Sequence, residues 1–186
     1  MRDLTSLVWP VERLGEAMDA IASRCGLPRR EVQPPEPPSG LCNLSIGKAE
    51  GLREWVDAAA GYLGFEAEPI EATYAGIETL VHGAAPALLH VSSGFLALVG
   101  NHSRTVSVLS PDLTVCRLSI VTVCDALRGP LDAKAEHRVE HLLNQAGVPK
   151  RWHARARAAL LREQLGTTRI AGGWLLRMPP GASFWQ

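Results

Sequence analysis

Between Pro86 and Asp112 the chain carries three short apolar or β-branched runs, Leu88 to Val91, Phe95 to Val99 and Thr105 to Leu109. They are separated by Ser92-Ser93-Gly94 and by Gly100-Asn101-His102-Ser103, residues that form tight turns. Runs of this length joined by turns of this length predict consecutive antiparallel strands, a small meander.

Helices surround that meander. Pro10 suits the start of a helix on which Val11, Leu14, Met18, Ile21 and Cys25 share one face, and Gly26 ends it. Pro34-Pro-Glu-Pro-Pro-Ser-Gly40 cannot continue a helix and reads as an extended spacer. A second helix is predicted from Lys48 to Tyr62, with Leu52, Trp55, Val56, Ala59 and Leu63 inward and Gly64 as its stop. Phe65 to Ala72 reads as a strand-like connector, followed by a short helix around Ala75 to Val81. Helix, helix, short helix, then meander is an α+β order.

Charge divides the chain. Residues 1–129 hold 10 Lys and Arg against 15 Asp and Glu, while residues 130–186 hold 9 against 4. Gly129-Pro130 is a strong breaker after Ser119 to Arg128, which reads as a short closing helix, so a boundary between two units is expected there. In residues 130–186, Asp132 can cap a helix to Ala146, and a second helix is expected from about Lys150 to Leu165. Thr167 to Ile170 and Trp174 to Met178 then read as a hairpin around Ala171-Gly172-Gly173. Two helices and a hairpin resemble a winged helix, and Arg151, Arg155, Arg157 and Arg162 give the second helix a basic character. A DNA-binding regulator is therefore an alternative reading. Balanced overall charge argues against nucleic acid as the partner of the whole chain.

Of the remaining motifs, His137-Arg-Val-Glu-His141 matches the H-x-x-E-H pattern of zinc peptidases. Ala135, Val139, Leu142, Leu143 and Ala146 mark the buried face of that helix, which turns both histidines toward solvent, and no metal or other cofactor is expected. Cys25, Cys42, Cys116 and Cys124 form no C-x-x-C pair, so reduced thiols are expected. Cys25 or Cys42 with His90 or His102 would make a thiol–imidazole pair, but neither thiol starts a helix beside a basic group that would lower its pKa. Asn43-Leu-Ser45 and Asn101-His-Ser103 match the glycosylation pattern only. No Gly-x-x-x-x-Gly-Lys-Ser/Thr loop is present, so these residues hold no ATPase site of that kind. Neither a signal-peptide pattern nor an apolar run of spanning length occurs, and a cytoplasmic domain is expected.

The order of elements and the meander resemble the papain-like cysteine peptidases of the double-glycine-leader type, found at the N-termini of bacterial ABC exporters. The likeness covers roughly the first two-thirds of the chain. In that family a strand beginning His-Phe or His-Tyr carries the general base, and a strand ending Asp-Pro carries the acid that orients it. Here those positions read Gly94, before Phe95, and Ser110, before Pro111. The family's Gln, and its Cys at the start of a long helix, have no counterpart in Leu7-Val8-Trp9-Pro10-Val11-Glu12-Arg13-Leu14. Without a thiolate beside an imidazole there is no activated nucleophile.

The resemblance thus implies a papain-like domain over residues 1–129 that has lost catalysis, followed over residues 130–186 by a basic, winged-helix-like module leading toward a membrane domain. It implies a role in an ABC exporter: binding the exported peptide or its leader, or docking on the membrane and ATP-binding domains to regulate transport, at the cytoplasmic face of the bacterial inner membrane. Ser183, Phe184 and Trp185 fit the approach to a membrane interface. Trp9 and Phe95, flanking the lost site, are the expected apolar anchors for peptide. An active cysteine peptidase with a migrated site is the remaining alternative.

Overall fold

The computed structural model describes residues 4–28, 30–38, 49–91 and 94–179. Helices α1 (Leu14–Cys25) and α2 (Ala49–Leu63) precede β1 (Glu66–Thr73). Then come α3 (Ile77–Gly83), β2 (Ala87–Val91), β3 (Gly94–Asn101), β4 (Thr105–Leu109) and β5 (Val115–Ser119). Helices α4 (Ile120–Gln145) and α5 (His153–Leu165) and strand β6 (Arg169–Arg177) follow. One six-stranded sheet, in the order β1-β6-β2-β3-β4-β5, runs through the molecule, and every pairing is antiparallel.

Strand alternation sends side chains to two cores. Leu88, Phe95, Ala97, Leu109, Trp174 and Leu176 meet Leu14, Met18 and Ile21 of α1 and Leu52, Val56 and Leu63 of α2. On the other face Ala87, Leu89, Leu96, Leu98, Val106 and Val108 meet Ile77 and Val81 of α3 and Ile120, Val123, Cys124 and Leu127 of α4. The expected α+β character, meander and first two helices are present, and Gly26 takes the left-handed conformation (φ 68°) that ends α1.

Three expectations are corrected. Gly129-Pro130 does not end a helix: α4 runs through it, capped at Ser119, whose Oγ accepts from Thr122 N at 3.1 Å. Pro130 is exposed, so the carbonyl it leaves without a helical donor can meet water, while the two halves of α4 are held by different packing. The first half lies on the sheet, and Val139 and Leu143 pack with Leu161 of α5 and Tyr74. Tyr74 Oη donates to Asp132 Oδ1 at 2.7 Å, so Asp132, expected as a cap, lies within the helix and ties it to the turn before α3.

The second correction concerns the C-terminal hairpin. Residues 169–177 are one strand, and Ala171-Gly172-Gly173 lies within it where the register with β1 shifts between Ile70 and Glu71. A bulge uses glycine in a strand as readily as a turn does. At Gly173 (φ 131°) a Cβ would fall 1.9 Å from the carbonyl oxygen of Leu88, so only glycine lets β6 approach β2. Without a hairpin there is no wing, and the winged-helix-like module is not formed.

The third correction follows from the other two. The separation of residues 1–129 from 130–186 is not seen, because β6 lies between β1 and β2 in the same sheet. No helix among the described residues is long and apolar enough to cross a membrane. Residues 180–186, including Ser183, Phe184 and Trp185, lie outside the described residues.

Candidate functional site

The positions singled out by the sequence converge. β4 pairs with β3 as far as Ala97↔Leu109, after which Ser110-Pro111 turns away. Trp9 takes the vacated place beside Phe95: Trp9 N donates to Phe95 O at 2.7 Å and Phe95 N donates to Trp9 O at 2.9 Å. The indole Nε1 donates to the carbonyl oxygen of Leu109 at 2.7 Å. The segment before α1, the start of β3 and the end of β4 therefore meet at one indole.

This junction is closed. Trp9 and Phe95 are both 0% exposed, so they are core residues in this conformation and not surface anchors for a peptide, which corrects the expectation for both. The Phe95 ring lies 5.9 Å from Trp174 and 5.2 Å from His90, centroid to centroid. Gly94 (φ 147°) leaves no room for a side chain, since a Cβ there would lie 2.3 Å from Trp9 O and 2.8 Å from Val8 Cγ1. The start of β3 at Gly94 is thus closed by backbone.

Ser110 is buried, and its hydroxyl serves the β4–β5 turn. Its Oγ lies within hydrogen-bond distance of Asp112 Oδ1, of Thr114 O at 2.8 Å and of Thr114 Oγ1 at 2.9 Å. Thr114 Oγ1 donates to Asp112 Oδ1 at 2.6 Å. The nearby carboxylate is therefore used locally to fold the turn.

Cys25 does not meet His90 or His102 as the expected thiol–imidazole pair. Cys25 sits at the far end of α1 from Trp9, its Sγ 3.6 Å from Val99 O, and burial pushes its pKa up. Burial, the largest cause, also raises the Cys124 thiol. Cys42 and the Asn43-Leu-Ser45 pattern lie outside the described residues. His90 Nε2 is buried with no hydrogen-bond partner, and burial lowers its pKa, while His102 Nε2 lies 3.2 Å from Ser107 Oγ. His137 and His141 are exposed, and Glu140 faces Arg157 at 3.9 Å. No group of three potential metal ligands occurs among the described residues.

What the junction leaves open lies beside it. A groove of about 620 Å³ runs between α1 and the β4–β5 turn, with Trp9 and Leu109 at its base and Arg13, Asp19, Arg24, Pro111 and Leu113 among its walls. Arg13 crosses the indole face at 5.1 Å, pairs with Glu16 at 2.6 Å and donates to Pro111 O at 3.3 Å. Leu113 is 63% exposed at the rim. Arg13 and Leu113 carried no motif, and only the packing of the turn against α1 brings them together.

Scans against protein-family models, characterised proteins and solved structures gave no match.

Proposed function

We propose that this chain is a non-catalytic, papain-like peptidase-like domain serving a bacterial ABC exporter, which binds an exported peptide or its leader or docks on the exporter's membrane and ATP-binding domains. One observation carries the reading. The start of the first helix, the start of β3 and the end of β4 are the places that hold nucleophile, base and acid in the family it resembles, and here they meet around Trp9, Gly94 and Ser110. An indole sealed into that junction supplies no nucleophile, and the mixed-charge groove beside it offers both carboxylates and guanidinium groups to a peptide.

The test is incubation of the full chain with a double-glycine leader peptide, followed by mass spectrometry and by fluorescence anisotropy of labelled peptide. The expected result is an intact peptide that binds, with binding weakened by Ala20→Trp, which fills the groove. Cleavage overturns the non-catalytic reading, and no binding at millimolar peptide overturns the peptide-binding role in favour of docking. The alternative of a DNA-binding regulator has lost the wing that suggested it, although Arg151, Arg155 and Arg162 are exposed on and just before α5.

A further inference from the structure

The two edges of the sheet are built differently. β1 carries Glu66, Glu68, Pro69 and Glu71, and it has a bulge after Ile70. Glu68 and Glu71 are drawn back onto β6 by Arg177 at 2.9 Å and Arg169 at 3.4 Å. Proline, charge and a bulge are the devices by which sheet edges avoid pairing with other chains. β5, Val115-Cys-Arg-Leu-Ser119, has no proline and no bulge, and its one charge is Arg117.

The hydrogen-bonding phase of β5 follows from its neighbours. Ser110 N donates to Thr114 O at 3.0 Å and Ile120 N donates to Arg104 O at 3.2 Å. Antiparallel pairing alternates, so between these two points Cys116 and Leu118 direct their backbone groups at β4. Val115, Arg117 and Ser119 direct theirs away from it. Their side chains are exposed, in contrast to the half-buried Cys116 and Leu118. Val115 is 39% exposed beside Leu113, and Arg117 has no carboxylate partner among the described residues.

We propose that the free edge of β5 is a docking site for an extended segment of a partner protein, which adds as a seventh strand and places a carboxylate opposite Arg117 and an apolar side chain opposite Val115. Charge selects this occupant over a second copy of the chain. A two-fold pairing of β5 with itself overlaps fully only when centred on Arg117, which sets two guanidinium groups directly opposite each other, and like charges so placed are destabilising. An acidic residue in a β-branched segment meets the same position favourably, with main-chain hydrogen bonds supplying affinity and the alternate side chains supplying selectivity. The inference does not depend on the exporter reading, since it uses neither the closed junction nor the groove.

Two capped, fluorescently labelled peptides test it against the full chain by anisotropy at low salt, Val-Thr-Glu-Thr-Val and Val-Thr-Lys-Thr-Val, in which a valine two positions from the central charge falls opposite Val115. The Glu-centred peptide should bind about tenfold more tightly, because a favourable cross-strand pair is exchanged for a repulsive one. Arg117→Glu should invert the preference. Val115→Pro removes an outward donor and should abolish binding of both peptides; its urea midpoint should stay near that of the parent chain, because proline is tolerated on a sheet edge. If Val115→Pro unfolds the chain, the Arg117→Glu inversion alone decides. Absence of binding at millimolar peptide, equal affinity for the two peptides, or a preference unchanged in Arg117→Glu overturns the proposal. So does sedimentation showing that the chain dimerises through β5 unless Arg117 is replaced.

Discussion

The indole of Trp9 reaches the main-chain oxygen of Leu109, a separation of 100 residues along the chain, with a buried hydrogen bond of 2.7 Å. That bond joins the segment before α1 to the end of β4. It adds to the last pair of the β3–β4 ladder, Ala97↔Leu109, beyond which Trp9 takes the place of β4.

Trp9→Ala should destabilise the chain by about 3–5 kcal/mol, the range for removing a large buried aromatic. Trp9→Phe keeps most of the apolar volume but removes the indole bond to the Leu109 oxygen, and about 0.5–1.5 kcal/mol is expected. Urea unfolding monitored by circular dichroism gives both values. A Trp9→Phe variant as stable as the parent chain would mean that the bond contributes nothing.

Gly94→His, which puts an imidazole at the start of β3 as the proposed peptidase-like reading would require for activity, should not create a general base. The new Cβ meets Trp9 O and Val8 Cγ1, and the backbone at φ 147° is strained for any side chain. The expected outcome is a loss of about 3 kcal/mol or more with no leader cleavage. A stable variant that cleaves would show that the junction can open.

Two groups set the pH limits. Burial holds His90 below its ordinary pKa of 6.5, so below that value the unfolded chain takes up a proton that the folded chain refuses. Stability should fall as pH drops from about 6.5, and His90→Gln should flatten that slope. At the other limb, burial and the bond to Asp132 push the Tyr74 phenol up from 10.0 to about 12. Its contribution is complete below pH 10.0 and is lost as pH rises toward 12, a loss that Tyr74→Phe should remove. Denaturation midpoints across pH check both.

Gly173→Ala should be among the most damaging single-methyl changes in the molecule. The added Cβ lands on Leu88 O and separates β6 from β2. A loss of about 3 kcal/mol or more is expected. By contrast, Gly129→Ala, with open space around its Cβ position, should be neutral or stabilising, since alanine favours the helix. Thermal melts of the two variants decide it.

His137→Ala and His141→Ala should each change stability by no more than about 0.5 kcal/mol, as exposed substitutions do. Elemental analysis of the purified chain should find no stoichiometric zinc. One zinc per chain, lost in either variant, would contradict the exposed placement of these side chains as their working state.

Local pattern carried the features that local physics decides. α1 and α2 follow the spacing of Leu14, Met18 and Ile21 and of Leu52, Val56 and Leu63, and the turns at Gly94 and around His102 delimit β3. The misreadings share a cause. Pro130 and the pair Gly172-Gly173 are breakers by local rule, yet packing on two sides carries α4 through the first and a bulge where β6 pairs with β1 absorbs the second. The junction was legible as a set of positions, Trp9, Gly94, Phe95 and Ser110. That Trp9 fills it could not be read locally, because its partners Phe95 and Leu109 are distant in sequence.

The place of β6 has a consequence for the order of assembly. β2 to β5 are sequential neighbours and can pair as they emerge from the ribosome, but β1 must wait, with no partner beside it, until residues 169–177 have been made. During that interval two strand edges that end in the middle of the finished sheet stand open, and unpaired edges of this kind recruit other chains. β6 closes both at once. Synthesis of the nascent chain therefore passes through a vulnerable stage that ends only with β6, and slow translation of α4 and α5 would lengthen it.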